Sequence, residues 1–271
     1  MKTITKFFDS LFMSIYEYKP LNKLLSNSWY SIVGLLDKNN EIMTMNYGYD
    51  NGANLALKES EESDRYSFQL YNHIVSGVDV KEKEILEVGC GRGGGASYIV
   101  RYLLPKKFVG SDITKRSGEF NKEKYKEVPN LSFVVGDAQN LPFPDGSFDV
   151  VVNVETSHHY EDFPKFLSEV RRVLRPQGKL LITDYREVSK LAQLESDLTN
   201  SGMRIVKDED ITTNVLSALD KDSERRMATI KRLVPKIFWK VSIDFSGVKG
   251  SDLYNSFKNK VWKYFFYILE R

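Results

Sequence analysis

Two of the chain's three histidines stand side by side, His158 and His159, within Asn153-Val-Glu-Thr-Ser-His-His-Tyr160. Imidazole is the side chain that exchanges a proton near neutral pH. The pair is therefore a candidate general base, with His158 placed ahead of His159. The same two residues could instead open a helix or line a pocket by hydrogen bonding. The third, His73, falls in a helical pattern ahead of the first strand and reads as structural. No cysteine or third histidine lies near enough in sequence to suggest a metal site.

A second group of residues is built for binding. Ile85-Leu-Glu-Val-Gly89-Cys-Gly91-Arg-Gly93-Gly94-Gly95 reads as a strand running through a tight turn into a helix. Five glycines in seven residues allow ligand atoms to approach bare backbone. Gly89, Gly91 and Gly94 alone also satisfy a dinucleotide pattern. Three acids sharpen the reading. Glu87 stands two residues before the first glycine, where a carboxylate can anchor an ammonium group. Asp112 follows that glycine by 23 residues, about the spacing at which an acid meets ribose hydroxyls. Asp137, in Gly136-Asp-Ala138, can accept a hydrogen bond from an exocyclic amine. One such acid would ordinarily cap the next helix; three at successive strand ends beside a glycine turn point to a nucleoside with a cationic tail.

These residues resemble the class I S-adenosylmethionine-dependent methyltransferases, in particular the small-molecule group that includes sterol and quinone methyltransferases. Five motifs carry the resemblance in order between about Lys83 and Ile211: Glu-Val-Gly-Cys-Gly at 87–91, Gly-Ser-Asp at 110–112, Gly-Asp-Ala at 136–138, Phe-Asp-Val-Val at 148–151 and Arg-Val-Leu-Arg-Pro-Gln-Gly-Lys at 172–179. The resemblance implies S-adenosylmethionine as cofactor and S-adenosylhomocysteine as product. It assigns Glu87, Gly89, Gly91, Asp112, Ile113, Asp137 and Ala138 to the cofactor, with Asn153 contributing from the end of the fourth strand. Met45-Asn-Tyr47-Gly-Tyr49-Asp50 resembles the aromatic N-terminal motif of sterol methyltransferases, with Asn46 in place of the usual acid and Tyr49 in place of Trp. Tyr47, Tyr49, Glu155, Tyr160 and Tyr185 are the expected substrate-pocket residues. Asp184-Tyr185 ends the fifth strand at the same edge.

The elements that must position these groups follow from hydrophobic patterning. Strands are expected at Glu84–Val88, Phe108–Asp112, Leu131–Val135, Phe148–Val154, Lys179–Thr183, Met203–Lys207 and Tyr264–Glu270. Helices are expected at Gly94–Leu104, Gly118–Glu127, Phe163–Leu174 and Glu187–Asn200. Regular alternation implies an α/β fold, a mostly parallel seven-stranded Rossmann-like sheet with helices on both faces. Residues 1–80 read as a helical cap and pocket segment, 81–210 as the cofactor-binding core, and 211–271 as a helical insertion plus the last strand. Phe7, Phe8, Leu11, Phe12, Ile15 and Tyr16 share one helical face, suited to packing, to a lid, or to peripheral membrane contact. Seven cations against two acids within 221–240 make a basic surface, either a solvated helix face or a cover that attracts acidic ligands or lipid head groups.

Composition excludes several classes. With 41% hydrophobic residues, 28% charged residues and one cysteine, Cys90, the chain is neither disordered nor a disulfide scaffold. A net charge of +2 gives no general attraction to nucleic acid, and Asn153-Val-Glu lacks the loop that grips a flipped base. No run is long enough for a transmembrane span, so a cytoplasmic location is expected; oligomeric state is not readable. The leading expectation is methyl transfer to a hydrophobic lipid, polyketide or other natural product at a hydroxyl oxygen. Methylation at carbon in an isoprenoid or aromatic acceptor is the variant, and a catalytically silent, cofactor-binding regulatory protein is the alternative from another class. A nicotinamide-dependent reductase ranks below these, since Tyr102–Lys106 contains Pro105 and Tyr254–Lys258 lies near the C-terminus.

Overall fold

The structure is a computed structural model describing Asp37 and residues 41–271; the amphipathic pattern over Phe7–Tyr16 lies outside the described residues. Met43–Arg271 forms one compact unit. Its seven strands are β1 Glu84–Val88, β2 Lys107–Asp112, β3 Leu131–Val135, β4 Phe148–Val154, β5 Leu174–Glu187, β6 Arg204–Asp210 and β7 Trp262–Glu270. They form one sheet in the order β3-β2-β1-β4-β5-β7-β6. β3 to β5 pair in parallel across the sheet, while β7 runs antiparallel between β5 and β6. The carboxyl ends of β1, β2, β3, β4 and β5 therefore meet along one edge, where open α/β sheets bind ligands.

Eight helices cover the sheet among the described residues: α1 Arg65–Val75, α2 Gly94–Leu103, α3 Lys115–Lys124, α4 Phe163–Val173, α5 Leu191–Asn200, α6 Thr212–Leu233, α7 Trp239–Phe245 and α8 Asp252–Lys258. Two apolar layers result from the alternation of each strand. Ile85, Val152 and Leu181 face one layer, shared with Phe68 and Ile74 of α1 and Ile99 of α2. Leu86, Val151 and Ile182 face the other, against Phe166 and Val170 of α4 and Leu198 of α5. The same alternation sends Glu87 to the face of Ile85, under α1 and α2.

Boundary differences have local causes. β5 reaches Glu187 because β7 pairs with it from Lys179 to Glu187, so α5 begins only at Leu191 after a 3-10 turn over Val188–Lys190. α3 starts at Lys115, three residues before the expected Gly118, because Asp112 accepts hydrogen bonds from the Thr114 backbone N–H (3.0 Å) and hydroxyl (2.6 Å) and turns the chain at once. The expected insertion is helical throughout α6, α7 and α8, and its first turns are tied to the Tyr47–Asp50 segment. Asp50 N–H donates to the Asn214 carbonyl (3.1 Å), Ser217 Oγ donates to Asp50 Oδ2 (2.6 Å), and Lys221 pairs with the same carboxylate.

Gly95, the second residue of α2, has no room for a side chain: a Cβ there would stand 1.9 Å from the Tyr71 ring. Gly95→Ala is expected to destabilise the protein by about 1–3 kcal/mol, the range for overpacking a filled core. Urea unfolding would show this as a lowered midpoint, and an unchanged midpoint would mean that Tyr71 moves aside freely.

Candidate active site

The glycine turn after β1 is shaped more by protein contacts than its composition suggests. Gly89 adopts φ +79°, and a Cβ on it would approach Thr156 Oγ1 to 2.5 Å, so it lets the loop after β4 lie against the turn. Gly91 (φ +50°) faces open space instead. The next glycines serve packing: Gly93 lies against Tyr125 and Phe133, Gly94 against the Met43 carbonyl, and Gly95 against Tyr71. Bare backbone for a ligand is thus concentrated near Gly91.

The three strand-end acids differ in their surroundings. Glu87 is completely buried; its Oε1 accepts from the Tyr71 hydroxyl (2.7 Å), while Oε2 is buried with no hydrogen-bond partner. Burial, together with the nearby charge of Asp112, pushes its pKa up to about 7, against the lowering effect of Tyr71. Asp112 is half-buried; its Oδ2 accepts from Gly91 N–H (3.0 Å) while Oδ1 takes Thr114. Asp137 is exposed and accepts from Gln139 N–H (2.8 Å). Asp112 and Asp137 thus each make a local turn hydrogen bond to the backbone two residues on, but a carboxylate has further acceptor sites. Ile113 is 69% exposed at the same edge, whereas Ala138 is buried. An orphaned buried oxygen, open backbone at Gly91 and an uncovered Ile113 together fit a ligand carrying an ammonium group and a flat apolar ring.

Asn153 is fully buried, and its Nδ2 lies within hydrogen-bond distance of the Val88 carbonyl (2.9 Å), Thr156 Oγ1 (2.8 Å) and the Tyr160 hydroxyl (2.9 Å). It fastens the end of β1 to the loop after β4. Tyr160 completes that fastening and packs on Phe166, 4.8 Å between ring centroids.

The histidines lie in a 3-10 turn, Ser157–His159, directly after this loop. His158 Nδ1 is 2.8 Å from Oδ1 of Asp184, and His158 N–H donates to Oδ2 (2.9 Å). Asp184 is fully buried and also accepts from Ser157 Oγ (2.6 Å) and Tyr185 N–H (2.8 Å), with Arg186 3.2 Å away. Burial alone would raise its pKa; His158, Arg186 and the hydrogen bonds outweigh it and hold the carboxyl far below the usual carboxylate range. In the tautomer whose Nδ1 proton points to Asp184, Nε2 is the acceptor and stands 3.3 Å from the Tyr185 hydroxyl. His159 lies against the His158 ring at 3.9 Å.

Around Nε2 stands an aromatic wall. Tyr185 lies 5.5 Å from Tyr47, 5.7 Å from Phe257, 5.0 Å from Trp262 and 6.1 Å from Tyr264, centroid to centroid. Glu155, buried and at φ +50°, ties two of these together: its Oε1 accepts from Tyr47 N–H (2.7 Å) and from the Tyr264 hydroxyl. Burial raises its pKa to about 8 despite those bonds, so the carboxyl is largely protonated at neutral pH. Tyr49 is not brought to this wall; it stacks on His73 at 4.0 Å, and His73 pairs with Glu209. Sequence reasoning missed Asp184 as the partner of His158, and missed Phe257, Trp262 and Tyr264, whose apolar pattern reads only as a core strand and helix.

Residues 86–182 match the model of a methyltransferase domain. Over 227 residues the chain is 37% identical to the phthiotriol/phenolphthiotriol dimycocerosates methyltransferase of Mycobacterium leprae, covering 83% of this chain and 84% of that protein. The chain belongs to the class I S-adenosylmethionine-dependent methyltransferases. It is also 39% identical over 202 residues to the fatty-acid O-methyltransferase of Mycolicibacterium smegmatis, covering 74% of this chain and 73% of the relative. Among solved structures, the [4+2]-cyclase SpnF superimposes with a TM-score of 0.68 at 18% identity, covering 90% and 94% of the two chains, a likeness of fold alone. The methyltransferase uses S-adenosylmethionine, which sets aside the nicotinamide reading. Among its described residues no helix is long and apolar enough to cross a membrane.

The raised pKa of Glu155 has a consequence for stability. An acid whose folded pKa exceeds its unfolded value contributes stability fully present below about pH 4.5 and lost as pH rises through about 8. Glu155→Gln keeps the acceptor for Tyr47 and Tyr264 but cannot ionise. Its urea midpoint is therefore expected to gain on wild type progressively from about pH 5 to about pH 8 and to level off above that; a constant difference between pH 5 and pH 8 would contradict the assignment.

Proposed function

We propose that this methyltransferase transfers a methyl group to a hydroxyl oxygen of a long-chain, hydrophobic lipid, with His158 as general base. The observation that carries the reading is the 2.8 Å contact between His158 Nδ1 and the buried Asp184 carboxylate, which leaves Nε2 to accept a proton beside an aromatic wall. When bound, S-adenosylmethionine supplies an electrophilic methyl. Glu87, Asp112 and Asp137, with Gly89, Gly91, Ile113, Ala138 and the end of β4 at Asn153, are the residues proposed to hold the cofactor.

The chain's own part in the reaction is alignment and proton removal. Tyr47, Tyr185, Phe257 and Trp262 offer apolar faces to an alkyl acceptor and exclude water from it. Nε2 of His158 takes the hydroxyl proton as the oxygen attacks, and Asp184 stabilises the imidazolium that forms. Relatives named for phthiotriol-type lipids and for fatty acids support a lipid acceptor. The second of these names supports a competing acceptor, a fatty-acid carboxyl. That group is already ionised at neutral pH, so its methylation needs no base.

The two acceptors are separated by one variant. Incubated with S-adenosylmethionine and matched long-chain alcohols and acids, the wild-type protein is expected to methylate the alcohol, as read by mass spectrometry. His158→Ala should lower that kcat by about 10²–10⁴, the usual contribution of a general base. Binding of S-adenosylhomocysteine, followed by thermal shift, should be unchanged. Methylation of the acid alone, indifferent to His158→Ala, would replace hydroxyl transfer with carboxyl transfer.

A further inference from the structure

Glu87 is held by a residue from outside the motif that contains it. Tyr71, on α1, passes over Gly95 into the glycine turn, and the turn accepts it only because position 95 lacks a Cβ. The phenol is buried, and its hydroxyl donates to Glu87 Oε1 at 2.7 Å. The bond restrains the carboxylate at one oxygen, and its second oxygen, Oε2, is buried without a partner. Leaving a buried carboxylate oxygen unmet is costly unless a donor arrives.

We infer that Tyr71 is a positioning residue for the cofactor site: by holding Oε1 it keeps Oε2 of Glu87 ionisable and aimed to receive the ammonium group of the cofactor's amino-acid tail. The inference rests on the cofactor and not on the acceptor. The titratable groups facing Glu87 are Tyr71 from α1, Cys90 from the turn and Asp112 from β2, with Glu155 acting in turn on Tyr71. None of these is a cation. With Glu87 titrating at about 7 in the free protein, an arriving ammonium lowers that value and expels the proton. Binding therefore tightens as pH rises to about 7 and levels off above it.

The test uses the full chain and S-adenosylhomocysteine, which carries the same amino-acid tail, with titration calorimetry at pH 5.5–8.5 in two buffers of different ionisation enthalpy. Wild type is expected to release about one proton near pH 6 and to level off near pH 7. Tyr71→Phe keeps the ring over Gly95 but removes the donor, so Glu87 becomes harder to ionise. Its levelling point should move up by about one pH unit, with affinity at pH 6.5 weakened on the order of tenfold and converging on wild type by pH 8.5. A profile superimposed on wild type, or an equal loss at every pH, overturns the inference, the latter marking a packing role alone. Should Tyr71→Phe fail to fold, Glu87→Gln decides: proton release is expected to vanish, and its persistence overturns the inference. Because no acceptor is present, none of these results depends on the proposed hydroxyl transfer.

Discussion

A buried carboxylate must be met by donors or it neutralises, and Asp184 is the point on which the reactive side of this protein turns. It sits at zero exposure on β5 and collects Ser157, both the backbone and ring of His158, the Tyr185 N–H and Arg186. Every one of those donors belongs to the loop after β4 or to the end of β5. The need to satisfy one negative charge thus folds the histidine turn against the sheet edge, and the imidazole is oriented as a by-product. The parallel pairing of β4 with β5, Val154 opposite Thr183, brings the two segments within reach.

Two other buried carboxyls along the same edge are treated in the opposite way. Burial outweighs their few donors and, for Glu155, the charge of Arg226, and lifts Glu87 and Glu155 to about 7 and about 8. Three acids therefore stand in one region with separate protonation behaviour. Asp184 stays charged and holds the His158 ring; Glu87 keeps one oxygen without a partner; Glu155 is mostly neutral and acts as a clasp between Tyr47 and Tyr264. Environments that drive titratable groups apart in this manner mark functional regions.

The clasp also shows how the insertion is tied to the Tyr47 segment. Arg226, on α6, donates to the Asn46 and Tyr47 carbonyls (3.2 and 3.1 Å) and pairs with Asp222. The Tyr47 segment is thereby held from one side by Glu155 and from the other by α6. Part of the basic character at 221–240 is explained by these bonds: Lys221, Arg225 and Arg226 are spent on Asp50 and Asp222.

Much of the architecture was legible in the chain, because strand and helix periodicities are local and each turn carries its own residues. β1, β3 and β4 have the bounds their apolar runs suggest, and five motifs in order between 87 and 179 carried the resemblance that implied methyl transfer. What the chain alone could not say is how side chains distant in sequence share one charge or one space. Tertiary structure decided that Asp184 serves His158, that Gly95 makes room for Tyr71 and not for a ligand, that Tyr49 turns to His73, and that Phe257, Trp262 and Tyr264 line the wall. The reason is physical. Apolar patterning reports which face of an element is buried, but burial in a folded sheet also sets which charges must find partners, and those partners come from wherever the topology brings a donor.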